Sequence, residues 1–445
     1  MNDKSFSGAK KIIGLLIGPV FILNGGIFFF QALTKNLFPP LLLPLRETFM
    51  IDHAQAGLLV TLVFFGYALA RFPSGVIADQ IGCTKTVLIG SAAMAFSFLG
   101  VALSPGYPAL ALMTFILGVS SGIYVTAGYT LAVIIGSRQR AGTATAAFES
   151  FGIVAGIISP VLVTLFVIYF SWQLLFIFTG LVLVTVTWLF YFYRRQAGRY
   201  EETYAAQNGI AGLSSNRQES CGRGKKETES RVRKIFESIK DSTVIFKDPL
   251  IRRFIIWSTL VGGLGALSWT GINSFIPTFL VEERGYNYDV ANQMYIIVAV
   301  AGLAAKIGTG WLADRFGNNL VLFFNLVLSI ALFIALTLVT GHFQILAVLA
   351  LLGAACLNTN TLINSYVLRF IPPKYQGAGF GLFCTAYTVI YSLGPYLTGF
   401  LSGLIGLSGA IQLSAIGAVA AAALILTAGY FVPSHLVDKM ASAHR

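Results

Sequence analysis

The chain has 445 residues, 56% of them hydrophobic and 11% charged, with a formal net charge of +12. Soluble domains carry about 25% charged residues, so this surface cannot be covered by charge and needs lipid around it. That excludes a soluble enzyme and turns the positive charge from a nucleic-acid signal into a question of membrane topology.

Apolar stretches long enough to cross about 30 Å of hydrocarbon as helices recur along the chain. Twelve spans are predicted, at 13–43, 54–79, 84–104, 108–136, 141–169, 172–193, 252–281, 290–314, 319–340, 343–371, 376–404 and 407–432. The first is too long for a signal-peptide core and lacks a cleavage site, so it counts as a span. Lys10, Lys11, Lys85, Arg138, Arg140, Arg194, Arg195, Arg315, Arg369, Lys374 and Lys439 fall on alternate connections, and the opposite connections hold only Arg46 and Arg284. By the positive-inside rule both termini and the central loop are cytoplasmic in a cell membrane. The expected fold is therefore all-α, with two six-helix bundles (1–193 and 252–445) joined by a hydrophilic loop over 194–251. Gly209, Ser214, Ser215, Gly222 and Gly224 give the first part of that loop a linker composition. Further on, Val232, Ile235, Phe236 and Ile239 have the spacing of an amphipathic helix, which would rest on the membrane surface or on the ends of the bundles.

The two halves repeat each other. The run Gly75-Val-Ile-Ala-Asp79-Gln-Ile-Gly82 returns in the second half as Gly310-Trp-Leu-Ala-Asp314-Arg-Phe-Gly317. The shift that carries Gly75 onto Gly310 also pairs Arg71 with Lys306, Gly118 with Gly353, Gly142 with Gly377 and Pro160 with Pro395, without a gap. A duplicated half with a polar turn between apolar segments points to a transporter built from two equivalent bundles. Small residues in each turn let two helices approach closely, and Asp79 and Asp314 can accept hydrogen bonds from helix N-termini. A contact of this kind, made in one state and broken in the other, would bias which side is open.

The repeated Gly-x-x-x-Asp-x-x-Gly turn, the twelve spans and the central loop resemble the major facilitator superfamily of secondary transporters. The resemblance covers essentially the whole chain. It implies alternating access and a substrate site near the membrane midplane, lined by spans 1, 2, 4, 5, 7, 8, 10 and 11. Gly156-Ile-Ile-Ser-Pro160 and Gly394-Pro395 look like the family's flexing segments, although helix packing alone would also account for these glycines. Drug-exporting members usually carry an arginine four residues before a glycine in the fourth span. Counted back from Gly122, that position is Gly118, which argues against proton-antiport drug export.

Ionisable groups inside spans are costly unless paired or wetted, so each is a functional candidate. Arg71 and Lys306 lie eight residues before the motif aspartates, about 12 Å inward from the turn, at equivalent places in the two halves. Two converging cations call for an anion between them, unless both snorkel to the interface. Nitrate/nitrite porters, organophosphate antiporters and monocarboxylate porters place a cation here, which the resemblance adds, while the fifth-span pattern of the nitrate porters is absent. Lys35, one turn after Gln31, falls either at substrate depth or near the outer interface. Glu149 lies nine residues beyond Arg140, about 14 Å deep. Burial disfavours its charged form and a nearby cation favours it, which suits a proton-coupling group; a static ion pair with Lys306 or Arg71 is the other reading. Tyr129, Trp269, Asn273, Asn358, Asn360 and Tyr387 are further candidates for the lining, with Asn273 and Asn360 foremost because amides in lipid need partners.

The four cysteines, Cys83, Cys221, Cys356 and Cys384, have no metal-like or disulfide spacing and read as free thiols. The four histidines sit at span ends or in the tail, and the chain has no Walker-type phosphate loop. The sequence thus predicts no catalytic residue, no metal and no cofactor. It predicts a monomeric secondary transporter for a small organic or inorganic anion, by proton symport or anion exchange. The partners are the substrate and the bilayer, with no nucleic acid. A drug or metabolite exporter and a transporter-like sensor are the alternatives.

Overall fold

The computed structural model describes residues 18–136, 141–208, 249–370 and 376–427. These form fourteen helices: α1 (Pro19–Asn36), α2 (Phe38–Phe49), α3 (His53–Ile81), α4 (Cys83–Ala102), α5 (Tyr107–Gly136), α6 (Ala141–Tyr169), α7 (Trp172–Asn208), α8 (Pro249–Glu282), α9 (Tyr288–Phe316), α10 (Asn318–Leu338), α11 (His342–Phe370), α12 (Gln376–Ser392), α13 (Gly394–Ser414) and α14 (Ile416–Leu426). No strand occurs among the described residues.

Ten helical segments are long and apolar enough to cross a membrane, and α1 with α2, bent by 50°, makes an eleventh. One of the ten runs for 47 residues from Phe380 to Leu426. At 1.5 Å per residue that is about 70 Å, more than twice the hydrocarbon thickness. Gly406 breaks the run with φ 76° and ψ 167°, so it divides into two crossings where the sequence expects spans eleven and twelve. The sixth predicted span belongs to a helix longer than expected. The predicted span ends at 193, but α7 continues to Asn208 and its polar extension is fixed by a buried carboxylate, Glu201. The linker from Gly209 and the amphipathic stretch at Val232–Ile239 lie outside the described residues.

The repeat is visible in the backbone. Gly82 and Gly317 adopt the same positive-φ conformation, φ 90°, ψ 151° and φ 89°, ψ 141°. Each N–H closes the preceding helix, onto Ala78 O at 2.9 Å and Ala313 O at 3.0 Å. Each carbonyl accepts the first bond of the next helix, from the N–H of Thr86 and of Val321, both at 3.2 Å. Only glycine adopts this φ without strain, which accounts for both positions. Gly118 and Gly353 are equally matched: a Cβ there would meet Val63 O at 2.2 Å and Val298 O at 2.0 Å. Val63 and Val298 are themselves repeat partners, so α3 crosses α5 where α9 crosses α11. Gly118 thus has no room for any side chain, which explains why no arginine stands there.

At the end away from the two motif turns the halves are clamped together. A Cβ on Gly57 would lie 2.2 Å from Pro395 O, and one on Gly399 would lie 2.2 Å from His53 O. Arg46 and His53 both bond Glu282, the His53 Nε2 at 2.9 Å. The Tyr288 hydroxyl donates to Pro40 O at 2.8 Å, and the Tyr396 N–H to Thr61 Oγ1 at 3.1 Å.

Candidate functional site

A cavity of about 720 Å³ lies between the halves and extends from Arg71 and Lys306 to the level of Asp79. Helices α3, α5 and α6 wall one side, and α9, α11 and α12 the other. Its lining obeys the repeat. Arg71 and Lys306, Thr126 and Thr361, Tyr129 and Asn364, Thr130 and Ser365, Thr145 and Phe380, and Glu149 and Cys384 all line it, each pair separated by the one offset that relates the halves. The chamber therefore straddles the axis between them.

The two cations meet different neighbours. Lys306 Nζ is 2.8 Å from Glu149 Oε2, an ion pair that joins α9 to α6 across the halves with both groups about one-third exposed. Tyr129 donates its hydroxyl to Glu149 Oε1 at 3.5 Å. Of the two readings of Glu149, this geometry displays the pair with Lys306. The guanidinium of Arg71 instead has Tyr67, Cys384, Tyr387 and Tyr391 within electrostatic reach. Among the described residues it has no carboxylate partner. Its Cζ lies 5.7 Å from the centre of the Tyr67 ring.

Lys35 reaches the same ring, with Nζ 3.4 Å from its centre, a cation–π contact outside the cavity lining. Tyr67 is not among the residues the sequence singles out, although it stands one helical turn before Arg71 on the same face, and that spacing is its signal.

The remaining candidates lie elsewhere in the bundles. Gln31 is buried and donates to Ser121 Oγ at 3.0 Å, tying α1 to α5. Asn273 accepts from the Tyr295 hydroxyl at 3.1 Å, and Asn358 donates to Gly302 O at 3.2 Å. Asn360 is half-buried on α11 and Trp269 is buried on α8. Lys35, Gln31, Asn273 and Asn360 are not among the residues lining the cavity.

Of the motif residues, Gly75 and Asp79 line this cavity, while Gly310 and Asp314 line a smaller one of about 220 Å³ that shares Lys306 with it. Gly82 and Gly317 form the turns described above. At the N-terminus of α4, which follows the Gly82 turn, the accepting carboxylate is Glu201. It takes the N–H of Thr84 at 2.7 Å and of Cys83 at 3.2 Å, and also the Thr84 hydroxyl. Cys83, Cys356 and Cys384 are free thiols, and Cys221 lies outside the described residues. No group of three metal-ligating side chains occurs among the described residues.

This architecture is that of a membrane transporter of two pseudo-symmetric bundles. The chain belongs to the Major Facilitator Superfamily, whose sequence profile matches residues 25–340 and again 259–439. The family's members are transporters, not enzymes. The cis,cis-muconate transport protein of Acinetobacter baylyi is 20% identical over 82% of this chain and 83% of its own length. The benzoate transport protein of the same organism is 23% identical over 86% of this chain and 83% of its own. Among solved structures, a bacterial homolog of the human lysosomal transporter Spinster, in an inward-facing and occupied conformation, superposes with a TM-score of 0.69 at 14% identity. That match covers 92% of this chain and 96% of the other, and it supports the fold alone.

Proposed function

We propose that this protein carries a small organic anion across a cell membrane by alternating access, with Arg71 as the primary anion-binding cation. The observation that carries this reading is the unequal pairing of the two deep cations. Lys306 is neutralised by Glu149, whereas Arg71 faces the chamber with aromatic rings and a thiol around it. Among the described side chains lining the inner chamber Arg71 is thus the one cation without a carboxylate partner; Lys35 stands outside the lining on the Tyr67 ring, and Asp79 lies about 12 Å along α3 at the mouth. An unpaired cation in a low-dielectric chamber attracts a carboxylate, and the planar guanidinium fork matches carboxylate geometry. The names of the muconate and benzoate relatives fit this chemistry.

Glu149 supplies the coupling. When a proton neutralises it, the Lys306 ammonium is released to a second anionic group or to the substrate itself. Loss of that proton re-forms the ion pair across α6 and α9 and favours release. The bundles over 1–193 and 252–445 rock about this centre, with both termini and the motif turns on the cytoplasmic side. The clamped end is then extracellular and the chamber faces inward.

The test is uptake of labelled benzoate and cis,cis-muconate into proteoliposomes, with and without an inward proton gradient. Saturable uptake that Arg71→Gln reduces by at least about tenfold supports the reading. Uptake unaffected by Arg71→Gln rules out the anion site.

A further inference from the structure

The repeat that aligns Arg71 with Lys306 also aligns Glu149 with Cys384, at the same offset. Glu149 pairs with Lys306 from the opposite half at 2.8 Å, and Cys384 lines the chamber with Arg71 from the opposite half, within its electrostatic reach. Both positions line the chamber, and each follows a buried phenylalanine, Phe148 or Phe383, that fixes the helix face. The ion pair between α6 and α9 therefore has a two-fold image between α12 and α3, in which a neutral thiol stands where the carboxylate would be.

We infer that Cys384 is a specificity-determining position: by withholding the second counter-ion, it leaves Arg71 free for an anionic substrate and sets the chamber's charge requirement at a single carboxylate. This deepens the anion-carrier reading and rests on it. A glutamate at 384 would be placed against Arg71 as Glu149 is against Lys306. Being part of the chain, it competes with any dissolved anion at high effective concentration. A thiol takes up little space and brings no charge at neutral pH, so the guanidinium stays unpaired. The substrate class follows from the count of charges. With Lys306 held by Glu149, and Lys35 outside the lining, a monocarboxylate such as benzoate matches the inner chamber's one unpaired lining cation, whereas a dicarboxylate needs the Lys306 ammonium freed from Glu149 as well.

The experiment compares Cys384→Glu with Cys384→Gln, which have the same shape and differ by one charge. Both are measured for benzoate uptake in proteoliposomes beside wild type and Arg71→Gln. The expected result is uptake by Cys384→Glu at least about tenfold below Cys384→Gln. The exchanged pair, Glu149→Cys with Cys384→Glu, moves the free cation from Arg71 to Lys306; because it also displaces the coupling carboxylate it is read by benzoate counterflow, which should be regained relative to Cys384→Glu. Equal rates for the two single variants overturn the inference, because charge at 384 then has no role. If Cys384→Glu fails to fold, the exchanged pair carries the test, and a folded exchanged pair without benzoate counterflow overturns it. The outcomes separate the two readings. Wild-type uptake that Arg71→Gln abolishes while Cys384→Glu does not defeats this inference alone; no wild-type uptake, or none that depends on Arg71, defeats the anion carrier itself.

Discussion

The imidazole of His53 and the carboxylate of Glu282 meet at 2.9 Å across the two halves, at the end of the molecule away from the Gly82 and Gly317 turns. Arg46 bonds the same carboxylate through its other oxygen, so one acidic side chain from α8 holds both α2 and α3. These groups are 18–29% exposed, between the surface case, worth about 0–1 kcal/mol, and the buried case, worth about 3–5 kcal/mol. Glu282→Gln is expected to weaken the clamp by about 1–2 kcal/mol, a factor of about 5–30 in the closed-to-open ratio. Hydrogen–deuterium exchange should quicken in 50–57 and 282–288 and stay unchanged at the Gly82 and Gly317 turns. Unchanged exchange at the clamp would mean that the backbone contacts of Gly57 and Gly399 close this end without it.

Under the proposed alternating access, two sets of close glycine contacts distinguish an interface that must open from one that need not. Gly57 touches Pro395 between the halves, whereas Gly118 touches Val63 within one half. Alanine at Gly118 forces apart helices that stay packed in both states, at a cost of about 1–3 kcal/mol, and should lower the melting temperature. Alanine at Gly57 obstructs only the state in which this end is closed. It should leave the fold stable and raise labelling of residues around Thr61 from the far side. Equal melting losses for the two variants would contradict this distinction.

Much of this arrangement is legible in the sequence because the repeat preserves residues with special backbone or charge requirements. Gly82 and Gly317 share a φ that only glycine accepts easily, and Arg71 and Lys306 share a depth fixed by the same stretch of helix before the motif aspartate. What the sequence hides is set by partners far along the chain. Gln31 reads as a substrate ligand because its partner, Ser121, lies 90 residues away. Lys35 reads by depth alone, while the bend after Asn36 and the Tyr67 ring decide where its ammonium goes. Glu201 sits where composition reads as loop, yet it is the buried acceptor at the start of α4. The Glu149–Cys384 correspondence obeys the same offset as the motif glycines, but a thiol opposite a carboxylate does not look like a repeat until the ion pair gives the position a meaning.

Glu201 also permits a test of stability apart from transport. Its carboxylate satisfies the N–H groups of Cys83 and Thr84 at the positive end of the α4 dipole, far from it in sequence. Glu201→Ala leaves those donors without an acceptor and frees the α7 extension. A loss of about 1–3 kcal/mol is expected, seen as a melting temperature lower by several degrees. Glu201→Gln retains part of the hydrogen bonding and should fall between wild type and alanine. Substrate affinity should be insensitive to both changes, since Glu201 is outside the chamber lining. A change in affinity larger than the change in melting would instead assign Glu201 to the transport cycle.

Glu149→Gln separates binding from coupling. Removing this carboxylate leaves the Lys306 ammonium without its partner at 2.8 Å, so the inner chamber gains one net positive charge. A dianion gains more from that charge than a monoanion does, so affinity for muconate should rise relative to benzoate, by about tenfold for each 1.4 kcal/mol of added attraction. Protonation can no longer switch the pair. An inward proton gradient should then stop accelerating uptake, while counterflow of substrate against substrate falls far less. The two readings of Glu149 diverge here. A purely static pair predicts that gradient-driven uptake and counterflow decline together, with a lower melting temperature, because a cross-half contact has been lost and no proton step removed. Gradient acceleration that survives in Glu149→Gln would place the coupling group elsewhere in the chain.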